Sequence, residues 1–252
     1  RAQLAQLHDN LLKAYAGAEW ARAQAGRLDN LMRRLSFAVQ QEPLGYGHAV
    51  SCARDFVGEE SFLLLLGDHL YVSEVPGERC AQQLIRLAEQ EQCAVAAVNP
   101  TREHLVRDYG TLNGKRVPDL PGVYQIERIL EKPSLSKAEL ELQTPGLRAG
   151  HYLCFFGMHV LPHHIFDLIE ENAPDENSAE RQLTPALQDL ANREKYLAAE
   201  LRGARYDLGA KFGLLRAQIA LGLAGEEGNA MLAELVGLMA EIGLHRPAGT
   251  GA

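Results

Sequence analysis

The chain has 252 residues, 46% of them hydrophobic and 23% charged, and a formal net charge of −8. That length suffices for one α/β domain with a helical appendage, and the acidic balance offers no basic stripe for gripping nucleic-acid phosphates. No apolar run approaches the roughly 20 residues that span a bilayer, and no secretory apolar region opens the sequence. In chain order, Leu4, Leu7, Leu11, Leu12 and Tyr15 recur near helical spacing, predicting a helical lead-in over residues 1–36 interrupted around Gly17 and Gly26. Phe37-Ala38-Val39-Gln40 predicts a short strand, followed by a glycine loop and a helix from about His48 to Asp55. Phe62-Leu63-Leu64-Leu65-Leu66, apolar on both alternating faces and stopped by Gly67-Asp68, predicts a buried parallel strand. Glu78 to Gln92 predicts an amphipathic helix burying Leu84, Ile85, Leu87 and Ala88, and Ala94 to Val98 a strand stopped by Asn99-Pro100.

This β-α-β-α-β order predicts a parallel sheet with right-handed crossovers. Val123 to Glu131 alternates and then turns apolar at Ile129-Leu130, a strand ending at Lys132-Pro133. Tyr152 to Leu161 is a further buried strand, after which Pro162 suits the opening of a helix. A helix over Arg181–Arg193, a strand over Tyr196–Leu201 and a helix from about Lys211 follow. Glu226 to Ile242 predicts a last amphipathic helix, and the Gly/Pro-rich end after Arg246 a disordered tail. Residues 37–222 thus form the α/β unit, and residues 223–252 a helix and tail.

Asp68 stands where ligands bind in open α/β sheets, beyond the carboxyl end of a strand, and a carboxylate there suits a hard cation such as Mg²⁺. The Gly45/Gly47 pair lets backbone approach a flat ligand, although turn geometry alone also calls for glycine. Asp207 reads equally as the cap of the helix that follows it, and Glu131-Lys132 as a solvated ion pair. Cys52, Cys80, Cys93 and Cys154 form no C-x-x-C pair, which argues against structural zinc and for a reducing cytoplasm. His163 and His164 are neighbours on a predicted helix, diverge by about 100° and share no ligand face easily.

Five segments carry a joint pattern: Gln40 to Val50, Leu66-Gly67-Asp68, Leu130-Glu131-Lys132-Pro133, Phe156 to Leu161, and Tyr206 to Gly213. With Glu180-Arg181-Gln182-Leu183-Thr184, they resemble the bacterial-type UTP–glucose-1-phosphate uridylyltransferases, within the wider sugar-nucleotidyltransferase group, over residues 37–222. The resemblance implies a Rossmann-like three-layer α/β sandwich with a mostly parallel, mixed sheet. It implies that Gln40 and backbone at Gly45 recognise the uracil edge, that Asp68 and Asp207 hold Mg²⁺, and that Glu131 binds glucose hydroxyls beside the backbone at Gly110 and Gly157. Lys132 and Asp68 are then the catalytic residues, Lys132 holding the sugar phosphate. The sequence departs from the pattern at His69, Met158, His159, Pro185 and Ala210.

The reaction implied is UTP plus glucose 1-phosphate giving UDP-glucose and pyrophosphate, with no role for nucleic acid or membrane. Another nucleotide or sugar in the same chemistry, dTTP for instance, is the first alternative; a non-catalytic sugar-nucleotide-binding subunit is the second. The family's Gly-x-Gly-Thr-Arg loop and downstream Pro-Lys pair are not found in these 252 residues, and Gly114-Lys115-Arg116 lacks the setting of a phosphate loop. The expectation is that such a segment lies upstream of Arg1, and that the 252 residues alone turn over no detectable substrate. The stripe of Leu232, Leu235, Val236 and Met239 suits core packing, or association into a homo-oligomer.

Overall fold

The computed structural model describes residues 2–173 and 180–245. Helices α1 (Ala2–Ala14) and α2 (Glu19–Arg34) lead into α3 (Tyr46–Ser51) and the single turn α4 (Arg54–Val57). Strands β1 (Phe62–Leu65) and β2 (His69–Ser73) precede α5 (Cys80–Glu91), β3 (Ala94–Arg102), β4 (Thr111–Arg116) and β5 (Val123–Leu130). Then come α6 (Leu135–Glu141), β6 (His151–Leu161), α7 (Ile165–Glu171), α8 (Leu183–Arg193), β7 (Tyr196–Glu200), β8 (Gly203–Asp207), α9 (Gly213–Leu223) and α10 (Gly228–His245).

Six strands pair in the order β1-β6-β3-β7-β5-β4. The sheet is mixed rather than mostly parallel: β1, β3, β7 and β4 run one way and β6 and β5 the other, so that β6 separates β1 from β3 and, among the described residues, β3–β7 is the one parallel pairing. The period-two alternation of β3 explains the layering. Val95 and Ala97 face α5, where they pack with Leu84, Ala88, Phe156 and Met158. Ala94, Ala96 and Val98 face the opposite side and pack with Val50 of α3, Ile165 and Phe166 of α7, and Leu187 and Leu190 of α8. Leu84 and Phe166 are fully enclosed, and burying a side chain of that size stabilises by roughly 1.5–3 kcal/mol. The result is helix, sheet, helix: the expected three-layer α/β sandwich.

One closure matters for the site. β4 pairs with β5 and also with β6 at Thr111↔Cys154, so the far side of the sheet curls back. Thr111 is thereby opposite both Leu130 and Cys154. Residues following β5, preceding β4 and lying inside β6 converge there.

Several expectations are corrected. Phe37–Gln40 is not a strand: among the described residues no neighbour takes its backbone bonds, and Phe37 and Val39 are 58% and 67% exposed. Among the described residues β1 is an edge strand bonded only to β6, antiparallel, with Leu65 exposed, rather than a buried strand with parallel neighbours. Pro100 does not stop β3; pairing with β7 ends at Val98, and beyond it the strand is bonded on one side only, where proline is tolerated. Gly26 lies inside α2, leaving the single break near Gly17. The stripe on α10 is not core: Leu232, Val236 and Met239 are exposed, and α10 meets α9 where Met231 sits against Gly222. The tail after Arg246 lies outside the described residues. No helix among them is long and apolar enough to cross a membrane.

Candidate functional site

Leu66-Gly67-Asp68 carry the chain out of the main sheet, with the Leu66 N–H still bonded to the Gly157 carbonyl at 3.2 Å. The next five residues, β2, form a two-stranded ribbon with β8 whose register sets His69 opposite Asp207. The Leu208 N–H donates to the Asp68 carbonyl at 2.8 Å, tying the two aspartates together through the backbone. Asp207 Oδ1 accepts from the N–H groups of Gly209 (2.9 Å) and Ala210 (3.2 Å), which fixes the loop after β8. It caps that loop rather than the helix, since α9 begins only at Gly213 behind Phe212. The other oxygen, Oδ2, faces His69 Nε2 at 3.9 Å, and Asp68 Oδ1 is 3.9 Å from the same nitrogen.

Asp68, His69 and Asp207 each present a ligand atom, and all three lie within 4.8 Å of one another. The donor set, two hard oxygens with one imidazole nitrogen, fits a divalent cation.

These residues form one wall of a cleft of about 590 Å³ whose lining also includes Gly110, Glu131, Lys132, Phe155, Gly157 and Thr184. A cleft of that size suits a small molecule. β5 ends at Leu130, and Lys132 adopts φ +42°, a bend that lets both Glu131 and Lys132 line the same cleft instead of alternating across a strand. Thr184 Oγ donates to Glu131 Oε2 at 2.7 Å, holding that carboxylate in place. A Cβ on Gly110 would lie 2.8 Å from the Phe155 ring and 3.2 Å from Glu131 Oε2. On Gly157, at φ +90°, it would meet His69 Nδ1 at 2.6 Å and the Tyr71 hydroxyl at 2.8 Å. Both positions demand glycine because neighbouring side chains occupy the space a Cβ would need, and at Gly157 because φ is positive as well.

The uracil-loop candidates sit beside this cleft rather than in its wall. Gly45 (φ +97°) lies against Arg181, where a Cβ would come within 2.7 Å of the carbonyl, and the loop is stitched to that residue by Arg181 N–H to Leu44 O and Gly47 N–H to Arg181 O. Gln40 Nε2 donates to Gly45 O at 3.0 Å and is 3.1 Å from His48 Nδ1. Tyr46, Glu180 and Gln182 from the same stitched region do line the cleft. Burial, then the nearby Asp68 carboxylate, raise the Tyr46 phenol to about 12, which keeps it a neutral donor.

Sequence reasoning missed Arg205. Its guanidinium bonds the Phe155 carbonyl at 2.8 Å, lies 4.4 Å over the Tyr109 ring and adds a second cation to the cleft beside Lys132. The available signal was alternation: in a strand ending at Asp207, position 205 shares its face. Burial first, and Arg205 next, lower the pKa of His69, against the opposing pull of Asp68 and Asp207.

His159 lines the inner end of the cleft, buried, with Nδ1 2.8 Å from the Tyr196 hydroxyl. Burial holds its pKa down to about 4, whereas an unfolded histidine titrates near 6.5. The unfolded chain therefore takes up this proton first: the stability contribution is present above about pH 6.5 and is lost as pH falls towards 4, by up to about 3 kcal/mol. Denaturation midpoints followed from pH 7.5 to 4.5 should accordingly fall less for His159→Gln than for the unchanged chain. Parallel curves would contradict the assignment.

A second cleft, about 410 Å³, opens at the amino ends of β1 and β3 beside Phe62, Ile85, Cys93 and Glu194. Ligands of open α/β sheets bind at the other end.

Comparison with known proteins gives the family. The model of the family described as nucleotidyl transferase matches residues 11–222. The chain is 33% identical over 201 residues to the UTP–glucose-1-phosphate uridylyltransferase YngB of Bacillus subtilis, a match covering 80% of this chain and 62% of that protein. Among solved structures, it resembles an apo UDP-glucose pyrophosphorylase with a TM-score of 0.70 at 27% identity, covering 87% of this chain and 77% of the other. A UDP-glucose pyrophosphorylase complexed with UDP-glucose is similar with a TM-score of 0.66 at 27% identity, covering 83% and 75%. The chain spans about three-fifths of the length of the curated relatives it matches.

Proposed function

Because the chain belongs to the nucleotidyl transferase family, we propose that it serves a bacterial-type UTP–glucose-1-phosphate uridylyltransferase, converting UTP and glucose 1-phosphate to UDP-glucose and pyrophosphate. One observation carries the reading: the Asp68 and Asp207 carboxylates line a single cleft together with Glu131, Lys132 and the glycines Gly110 and Gly157. The names of its relatives support the same choice of substrates.

In this reading Glu131, oriented by Thr184, accepts hydrogen bonds from the glucose hydroxyls, and Gly110 and Gly157 let backbone come close to the ring. Lys132 holds the sugar phosphate. Gln40 Oε1 and the Gly45 N–H have no hydrogen-bond partner among the described residues, so they offer an acceptor and a donor to the uracil edge. Asp68 and Asp207 would hold Mg²⁺, which when bound neutralises charge on the phosphates. The sugar phosphate is already anionic, so the chain supplies no general base and no covalent nucleophile. Its residues align that oxygen with the α-phosphorus; the new P–O bond forms as the bond to pyrophosphate breaks. Residues 37–222 carry this site, with residues 1–36 as a helical lead-in. The net charge of −8 offers no basic stripe for nucleic acid, and the widely spaced cysteines suit a reducing cytoplasm. A second copy of the chain covering the exposed stripe on α10 belongs to the same proposal and would show as a dimer in sedimentation.

The test is product formation by the gene product that carries this chain. With Mg²⁺, UTP and glucose 1-phosphate, UDP-glucose and pyrophosphate should appear in equal amounts. Binding of UDP-glucose without turnover would point instead to a non-catalytic subunit, and faster turnover of dTTP to a thymidylyl donor.

A further inference from the structure

The cation site of the proposed reaction contains a group that the carboxylate pair alone does not account for. The His69 side chain is only 6% exposed, and its Nε2 points at both aspartates from 3.9 Å without a hydrogen bond to either. Its other nitrogen, Nδ1, lies 3.5 Å from the Tyr71 hydroxyl, whose own proton is committed to the Gly157 carbonyl at 2.9 Å. Nδ1 can meet that oxygen only as the donor. This leaves the Nε2 lone pair facing Asp68 Oδ1 and Asp207 Oδ2, three acceptors converging on one point. Two atoms that share one cation at about 2.1 Å each lie at most about 4.2 Å apart; both separations from Nε2 fall inside that limit, while the carboxylate oxygens are bounded only at 4.8 Å, so an ion held by all three draws the exposed Asp68 side chain inward. A buried imidazole whose far nitrogen is fixed by a neighbouring hydroxyl is also how metal-binding histidines are oriented.

From this we infer that His69 is a third protein ligand, and that through it the site binds the imidazole-accepting cation Mn²⁺ more tightly than Mg²⁺. Mg²⁺ takes oxygen ligands and keeps much of its water, whereas first-row transition cations gain from a nitrogen donor. The inference rests on the proposed cation site, and its test separates the two. Mn²⁺ is titrated into the gene product that carries this chain, with UDP-glucose present, and the spin-resonance signal of the free ion is followed; Mg²⁺ is then added as competitor. Mn²⁺ should bind at least about tenfold more tightly than Mg²⁺, and the bound ion should show nitrogen coupling in spin-echo spectra. His69→Asn should erase that preference by weakening Mn²⁺ at least about tenfold while Mg²⁺ changes less than about twofold. Mn²⁺ bound without nitrogen coupling, or lost in Asp68→Asn but unchanged in His69→Asn, overturns the ligation by His69 alone. Failure of the unchanged protein to bind Mn²⁺ at all overturns the cation site with it. The spin-echo measurement needs no variant, so a folding defect in His69→Asn does not shield the inference.

Discussion

Asp68→Asn should lower turnover by on the order of 10²-fold or more, the scale of losing one preorganised electrostatic contact to a reacting phosphate. The side chain is 63% exposed and makes no hydrogen bond among the described residues, so the change removes charge without removing a structural contact. Thermal melting should therefore be unaltered, which assigns the whole effect to chemistry. Asp207→Asn completes the comparison: its remaining carbonyl oxygen can still accept from Gly209 and Ala210, so the loop survives while the charge facing His69 is lost. Turnover of Asp68→Asn within a few-fold of the unchanged protein at saturating cation would remove Asp68 from the site.

Lys132→Ala should lower kcat/KM for sugar 1-phosphates by roughly 10- to 150-fold, because a hydrogen bond to a charged group is worth about 1.5–3 kcal/mol. The loss should be nearly the same for glucose, galactose and mannose 1-phosphates, since a cation on the phosphate does not read the ring. Glu131→Gln should behave differently. It keeps an acceptor for Thr184 but weakens the carboxylate's hold on hydroxyls, so the preference among hexoses should narrow. Measuring kcat/KM for the three sugars with both variants separates the roles. Unchanged selectivity in Glu131→Gln, or a sugar-dependent loss in Lys132→Ala, would contradict the division.

Much of the site was legible because it lies where regular elements stop. The apolar run of β1 ends just before Asp68, and the alternation of β5 ends just before Glu131 and Lys132. What placed Asp68 beside Asp207 was not legible. β2 and β8 are five residues each, of mixed polarity, and their pairing links positions far apart in the sequence. Each alternates, with Leu70 and Val72 or Ala204 and Tyr206 on one face, but over only five half-buried residues, so which segment pairs with which emerges only from tertiary context. β4 was hidden for a related reason: its alternation is broken by an irregularity between Asn113 and Gly114, where a Cβ on Gly114 would meet the Gln125 carbonyl at 2.5 Å. Phe37–Gln40 shows the converse. Its composition suits a strand, but strand formation requires a partner, and none of the described residues pairs with it.

The measurement that bears most directly on the account is a crystal structure of the gene product carrying this chain, bound to UDP-glucose and Mn²⁺. The account predicts the hexose against Glu131, Gly110 and Gly157, the diphosphate at Lys132, and one cation about 2.1 Å from oxygens of both Asp68 and Asp207. A hexose seated elsewhere, such as the cleft beside Phe62 and Ile85, or a cation touching neither aspartate, would contradict it.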